Sequence, residues 1–250
     1  MTDQPIERRN FLKGAGAVGT AAAAALSGKL AVAAESQPLS QPLPPEPTPP
    51  PAPAAAKAAP EPLLTLNATE ADFIAAAVDT LIPADALSPA ASDCGVTVFI
   101  DRQLAGAWGN GARLYRDGPF LKGKPEHGYQ LALTPREFFR AGIAATNEWT
   151  AKTYGKEFAL LAPADRIAAL QAMEAGKADF GGLGSKGFFE ALLGITMEGF
   201  FADPIYGGNR DKAGWKMVGY PGLPAVYNEA VEKYRGKPFH PAPQSIADFS

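Results

Sequence analysis

The stretch TPREFFRAGIAATNEWTAKTY, residues 134–154, decides the fold class predicted for this chain. Thr134 precedes Pro135, a residue suited to the first turn of a helix, and Glu137 follows three residues after Thr134. This spacing predicts a capping box, in which the two side chains bond each other's backbone N–H groups. Apolar residues then recur at helical spacing, at Phe138, Ile143 and Trp149. The stretch predicts one long amphipathic helix.

Further stretches on both sides carry the same pattern. One begins with a cap at Thr69 and stops at Pro83, and another begins at Pro163. The remaining helices are predicted at residues 96–108, 185–201 and 225–234. Alternating strand patterns are nearly absent, and no internal repeat is detected. The predicted fold class is therefore all-α, an irregular helical bundle with long ordered loops.

Residues 201–215 read FADPIYGGNRDKAGW and are rich in turn formers, aromatics and charges. Asp203-Pro204 halts the preceding helix, Gly207-Gly208 permits backbone angles closed to other residues, and Asn209 can bond neighbouring backbone. The loop is therefore predicted to be ordered without a strand. Side chains of the kinds it carries anchor protein interfaces. The loop either docks on a partner or braces the core of its own domain.

Residues 1–34 predict a twin-arginine signal peptide. Arg8 and Arg9 stand before a weakly apolar run rich in alanine and glycine, and Lys29 and the glycines make that run a poor membrane span. Residues 35–62 hold eleven of the 24 prolines and predict an extended tether. Its role is either that of a spacer or of an arm laid over a partner, or it is an inert linker. The folded domain is predicted at residues 63–250, and the signal predicts a periplasmic location.

Composition excludes several kinds of site. A net charge of -3 without long runs of one sign gives no basic footprint for nucleic acid. One cysteine and two histidines in no metal-ligand spacing give no support for zinc or c-type haem. The stretch GGLGSKG, residues 181–187, lacks the Walker order, and no dinucleotide fingerprint is present. Neither a metal nor a cofactor is therefore expected in this chain.

Some candidates for chemistry remain. His127, beside Glu126 in a loop, is a general base in principle and otherwise a surface residue. Cys94 is either a buried thiol or the partner of a cysteine in another chain, an intersubunit disulfide. Five carboxylates that might pair are expected by default to cap helices or face solvent: Asp79, Asp85, Asp101, Glu137 and Glu148.

Three segments, together with the twin-arginine leader, resemble the gluconate 2-dehydrogenase subunit 3 family. They are FIAAAVDTLIPAD (73–85), FIDRQLAG (99–106) and EGFFADPIYGGNRDKAGWKMVGYPG (198–222). The resemblance covers residues 69–222, and the long irregular run that ends at Gly222 makes it specific. The proline-rich arm lies outside it.

The resemblance implies a non-catalytic small, or gamma, subunit of a periplasmic complex on the outer face of the inner membrane. Its implied partners are a large FAD-containing dehydrogenase subunit of the GMC type, a multihaem cytochrome c subunit and the twin-arginine translocase. FAD and haem c are then expected in those partners, and this chain supports folding, stability and co-export of the flavoprotein. The predicted partner interface comprises Asp203, Tyr206, Asn209, Arg210, Trp215 and Tyr220. The alternatives are a free-standing periplasmic enzyme with a site near His127 and a free-standing scaffold tethered by its arm.

Overall fold

The structure, a computed structural model, describes residues 61–121, 123–124, 127–224 and 226–249. These residues belong to one compact unit, residues 57–250. The predicted signal peptide with Arg8 and Arg9, and the arm up to residue 60, lie outside the described residues.

The described residues form seven α-helices. They are α1 (Ala68–Leu81), α2 (Val96–Ala105), α3 (Pro135–Tyr154), α4 (Pro163–Glu174), α5 (Ser185–Phe201), α6 (Ala213–Val218) and α7 (Asn228–Lys233). Short 3-10 turns occupy Phe158–Leu160, Pro204–Tyr206, Arg210–Lys212 and Ile246–Phe249. Within these ranges there is no strand, only an isolated parallel bridge between Gly222 and Gln244. The predicted all-α fold is confirmed.

The long helix α3 begins as its sequence predicts. The Thr134 hydroxyl accepts a hydrogen bond from the Glu137 N–H at 3.2 Å, and the Glu137 carboxylate accepts one from the Thr134 N–H at 2.8 Å. The helix ends at Gly155, whose φ of 75° is the left-handed value that favours glycine. Both ends of α3 are therefore set by local chemistry.

The start predicted for α1 is wrong by two residues. Asn67, not Thr69, is the cap, because its side chain accepts from the Glu70 N–H while the Glu70 carboxylate accepts from the Asn67 N–H, each at 2.9 Å. An asparagine three residues before a glutamate satisfies both donors, so it takes precedence over the threonine that follows.

Two other helices are shorter than predicted. Helix α2 ends at Ala105 and not at Trp108, because Gly106 has extended backbone angles. Helix α7 begins at Asn228 and not at Ala225, which lies outside the described residues. The backbone of Tyr227 is not helical, and its hydroxyl donates back to the Gly222 carbonyl at 2.5 Å.

Helix α5 lies at the centre of the bundle and packs against α1, α2, α3, α4 and α6. Its fully buried Phe188 is surrounded by rings from several other segments: Phe73, Phe138, Phe139 and Phe180. Helix α3 approaches closely at Gly142, where a Cβ atom would stand 2.2 Å from the Phe188 ring. In the described part of the chain, no helix is long and apolar enough to cross a membrane.

Candidate partner-binding loop

Residues 202–212, here called the interhelical loop, join α5 to α6. Asp203 fixes its first turn, because one carboxylate oxygen accepts from the Ile205 N–H at 3.0 Å. The other oxygen accepts from the Ile246 N–H at 2.9 Å. Asp203 therefore ties the 3-10 turn at Pro204–Tyr206 to the 3-10 turn at Ile246–Phe249.

Two glycines bring the loop against the helices beneath it. Gly207 has a φ of 99°, and a Cβ atom there would stand 2.6 Å from Arg102 Nη1. A Cβ atom at Gly208 would stand 2.1 Å from the Gly199 carbonyl oxygen of α5. The φ of Gly207 confirms the predicted backbone role for that residue, whereas Gly208 is required by the close approach of two backbone segments.

Asn209 is the internal brace of the loop. Its side chain is fully buried, its Nδ2 donates to the Ala202 carbonyl and its Oδ1 accepts from the Gly214 N–H, each at 2.8 Å. These bonds connect the end of α5 to the start of α6. Asn209 adopts the left-handed region with a φ of 46°, which asparagine tolerates better than most residues.

Trp215 also contributes to the fold of its own domain. It is buried, and its indole Nε1 donates to the Phe201 carbonyl at 2.7 Å. The ring meets Tyr220 edge to face with centroids 5.2 Å apart. The indole is therefore occupied within the chain, while half of the Tyr220 surface, 49%, faces solvent.

Arg210 links the loop to the start of α2. Its N–H donates to the Cys94 carbonyl at 2.8 Å, and its Nη1 donates to the Asp93 carbonyl at 3.0 Å. Its Nη2 lies 3.4 Å from the Glu61 carboxylate. Much of its hydrogen-bonding capacity is thus used inside the chain.

Part of the outer surface of the loop is apolar. Ile205 and Tyr206 are exposed, and the 3-10 turn packed beside them exposes Ile246 and Phe249. We call these four residues the apolar face. Sequence reasoning found Tyr206 but missed Ile246 and Phe249, because tertiary contacts, the bond from the Ile246 N–H to Asp203 and the ion pair of Lys212 with Asp248, bring the C-terminal turn to the loop.

Of the six residues predicted for a partner interface, two are buried in the interior and two are exposed at the surface. Asn209 and Trp215 are buried, whereas Tyr206 and Tyr220 are exposed. Asp203 and Arg210 are intermediate and bonded within the chain. The buried residues brace the domain, and the exposed ones are those still available to a partner.

The five candidate carboxylates have structural partners. Asp79 accepts from the N–H and hydroxyl of Ser92, and Asp85 accepts from the backbone N–H groups of residues 87 and 88. Asp101 accepts three backbone N–H groups, Glu137 forms the capping box, and Glu148 pairs with Lys152 one turn away. The structure brings no two of these five together as an acid and base pair.

The surroundings of His127 are those of an exposed loop. Its Nδ1 accepts from the Lys124 N–H at 3.4 Å, and Glu126 lies outside the described residues. Two surface grooves of about 720 and 330 Å³ are formed by residues 221–244, and neither includes His127. No cluster of three metal-ligating side chains occurs within the described ranges.

The thiol of Cys94 is buried under the loop. The thiol donates a hydrogen bond to the Pro89 carbonyl at 3.9 Å. Burial, reinforced by the charge of Asp93, raises the pKa of the thiol to about 11. In this chain Cys94 is a buried free thiol.

A comparison with known protein families matches the part of the chain that carries the three segments described in the sequence analysis. The family described as gluconate 2-dehydrogenase subunit 3 matches residues 68–222, which span α1 to the end of the run after α6. The chain belongs to this family. Residues 5–25 match the twin-arginine translocation signal and contain Arg8 and Arg9, so the chain carries a signal for export to the periplasm. No curated protein and no solved structure matched the chain.

Proposed function

We propose that the chain is a non-catalytic accessory subunit of a periplasmic, FAD-dependent gluconate 2-dehydrogenase-type complex. It supports folding and stability of the flavoprotein subunit and its co-export by the twin-arginine route. The observation that supports this most directly is that one chain carries both the family segment, residues 68–222, and the export signal, residues 5–25. FAD and haem c belong, in this proposal, to the large subunit and a cytochrome c subunit, and the complex sits on the outer face of the inner membrane.

The apolar face is the surface proposed to meet the flavoprotein, together with the exposed Tyr220. Aromatic side chains are enriched at the centres of interfaces, and truncating an anchor typically costs 2 kcal/mol or more. Tyr206 and Phe249 expose 53% and 66% of their surface. The loop behind them is held by Asn209 and Asp203, so docking need not order it.

A co-expression experiment tests the proposal. The flavoprotein subunit is expressed with and without this chain, and periplasmic dye-linked dehydrogenase activity and FAD content are measured. Active, FAD-loaded flavoprotein is expected in the periplasm only with the chain present and its Arg8-Arg9 pair intact. Export of active flavoprotein without the chain would overturn the proposal.

Variants test the face itself. Tyr206→Ala combined with Phe249→Ala is expected to weaken capture of the flavoprotein by about 30-fold or more, the effect of losing one hot-spot anchor. Tyr115→Ala is the matched control, because Tyr115 is a tyrosine that is 79% exposed outside this face. Equal capture by both variants would remove the face from the interface.

A further inference from the structure

Residues 61–66, here called the strap, precede α1 and contain a bend at Leu64 and Thr65. We infer that the strap positions the interhelical loop for docking, through the carboxylate of Glu61. This inference rests on the proposed function, since it assigns the strap to the same partner-facing loop. It lies outside the family segment, which begins at residue 68.

The strap is anchored at one end by a buried carboxylate. Asp101 of α2 is 1% exposed and accepts the N–H groups of Leu64, Thr65 and Leu66 at 2.6, 2.9 and 2.8 Å. Hydrogen bonds to an ionised acceptor are stronger than neutral ones. Arg140 of α3 adds a bond from its Nη2 to the Thr65 carbonyl at 2.9 Å. The strap is therefore held in register on the helices.

At its other end the strap reaches the loop. The two oxygens of the Glu61 carboxylate lie 2.6 Å from Arg102 Nη2 and 3.4 Å from Arg210 Nη2. Arg210 is a loop residue, and the Arg102 guanidinium lies against Gly207, where a Cβ atom would stand 2.6 Å from its Nη1. Glu61 therefore connects two arginines that each contact the loop.

The expected consequence is local. Glu61 and both arginines are each more than a third exposed, and exposed ion pairs of this kind stabilise structures modestly. Loss of the carboxylate is therefore expected to leave the bundle folded. Arg210 also donates hydrogen bonds to the Cys94 and Asp93 carbonyls, just before α2 begins. Greater mobility of Arg210 is therefore expected to loosen the loop at this contact.

Hydrogen exchange of the full chain tests the inference without any partner. In Glu61→Gln, exchange of the Arg210 N–H, which is bonded to the Cys94 carbonyl, is expected to accelerate about three- to fivefold, as is that of neighbouring loop amides. Glu148→Gln is the matched control, because Glu148 forms a single exposed ion pair with Lys152 on α3. It is expected to leave exchange at residues 203–214 unchanged.

A second variant addresses the anchor. Asp101→Asn keeps the size of the side chain but removes its charge, and faster exchange is expected at residues 64–66 and at residues 203–214. If this substitution of a buried residue prevents folding, hydrogen exchange in Glu61→Gln alone tests the inference. Unchanged exchange at residues 203–214 in Glu61→Gln would overturn the inference.

Flavoprotein capture completes the test. Glu61→Gln is expected to lower affinity about three- to fivefold relative to Glu148→Gln. Faster loop exchange with unaltered affinity would overturn the claim that the strap serves docking. Failure of the unsubstituted chain to capture flavoprotein would instead count against the proposed function, and the exchange result would still stand.

Discussion

Replacing Asn209 tests the bracing role of the interhelical loop separately from its proposed docking role. The side chain is fully buried, and the bonds from Nδ2 to Ala202 and from the Gly214 N–H to Oδ1 are both 2.8 Å long. Asn209→Ala removes both bonds and leaves the two backbone groups without these partners. It also places alanine at a φ of 46°, where a Cβ atom is disfavoured.

The expected cost follows from these contacts. Each lost hydrogen bond contributes about 1 kcal/mol, and the left-handed backbone adds about 1 kcal/mol for alanine. Asn209→Ala is therefore expected to lower the free energy of unfolding by about 3 kcal/mol, and Asn209→Gly by about 2 kcal/mol because glycine accepts the backbone angle. For a domain of this size, the first value lowers Tm by about 6–12 °C.

Urea unfolding followed by circular dichroism measures both variants. Asn228→Ala is the matched control, because Asn228 is an exposed asparagine on α7, and it is expected within about 0.5 kcal/mol of the unsubstituted chain. A change below 0.5 kcal/mol for Asn209→Ala would refute the reasoning that this side chain braces the loop. Equal losses for alanine and glycine would refute only the backbone contribution.

Three further predictions concern other parts of the fold. The Cys94 thiol, with a pKa of about 11, is expected to react with a thiol reagent at pH 8 only after denaturation, and rapid labelling of the native chain would contradict its burial. Gly142→Ala places a Cβ atom 2.2 Å from the Phe188 ring and is expected to destabilise the fold by about 2 kcal/mol or more. At Gly194 an added Cβ atom meets open space, so Gly194→Ala is expected to stabilise α5 by up to about 1 kcal/mol. Unfolding curves that rank the stabilities of these two variants the other way would contradict this packing. The capping-box hydrogen bonds lower the pKa of Glu137, so its contribution to stability is complete above its unfolded pKa of about 4.3 and is lost as pH falls through the lower folded value. The Tm of Glu137→Gln is therefore expected to fall less steeply than that of the unsubstituted chain below about pH 4, and parallel curves would contradict it.

Local chemistry explains why the helices were predictable. The start of α3 depends on three neighbouring residues, Thr134, Pro135 and Glu137, so its capping box was visible in the sequence. The cap of α1 was placed at Thr69 because acidic residues follow it, although Asn67 stands three residues before Glu70 and forms the capping box. Helix ends that depend on such choices are less predictable than the helices themselves.

The candidate site was only partly visible for a different reason. From the sequence, Asp101 was expected to cap a helix or to face solvent. Its actual role could not be predicted, because its three partners lie 35–37 residues away in the strap. Sequence reasoning also placed Asn209 and Tyr206 in one set, although one is buried and the other exposed. Residue type indicated which side chains matter in the loop, but the direction in which each points depends on the packing of α5, α6 and the C-terminal turn.

The backbone of the loop links this packing to its outer surface. Asn209, Asp211 and Lys212 have φ values of 46°, 56° and 58°, a region that costs non-glycine residues of order 1 kcal/mol each. Such a conformation persists only where surrounding contacts determine it, and here the Asn209 amide and the ion pair of Lys212 with Asp248 do so. Asp248 belongs to the same C-terminal turn that supplies Ile246 and Phe249. The contacts that hold the loop in this conformation therefore also assemble the apolar face.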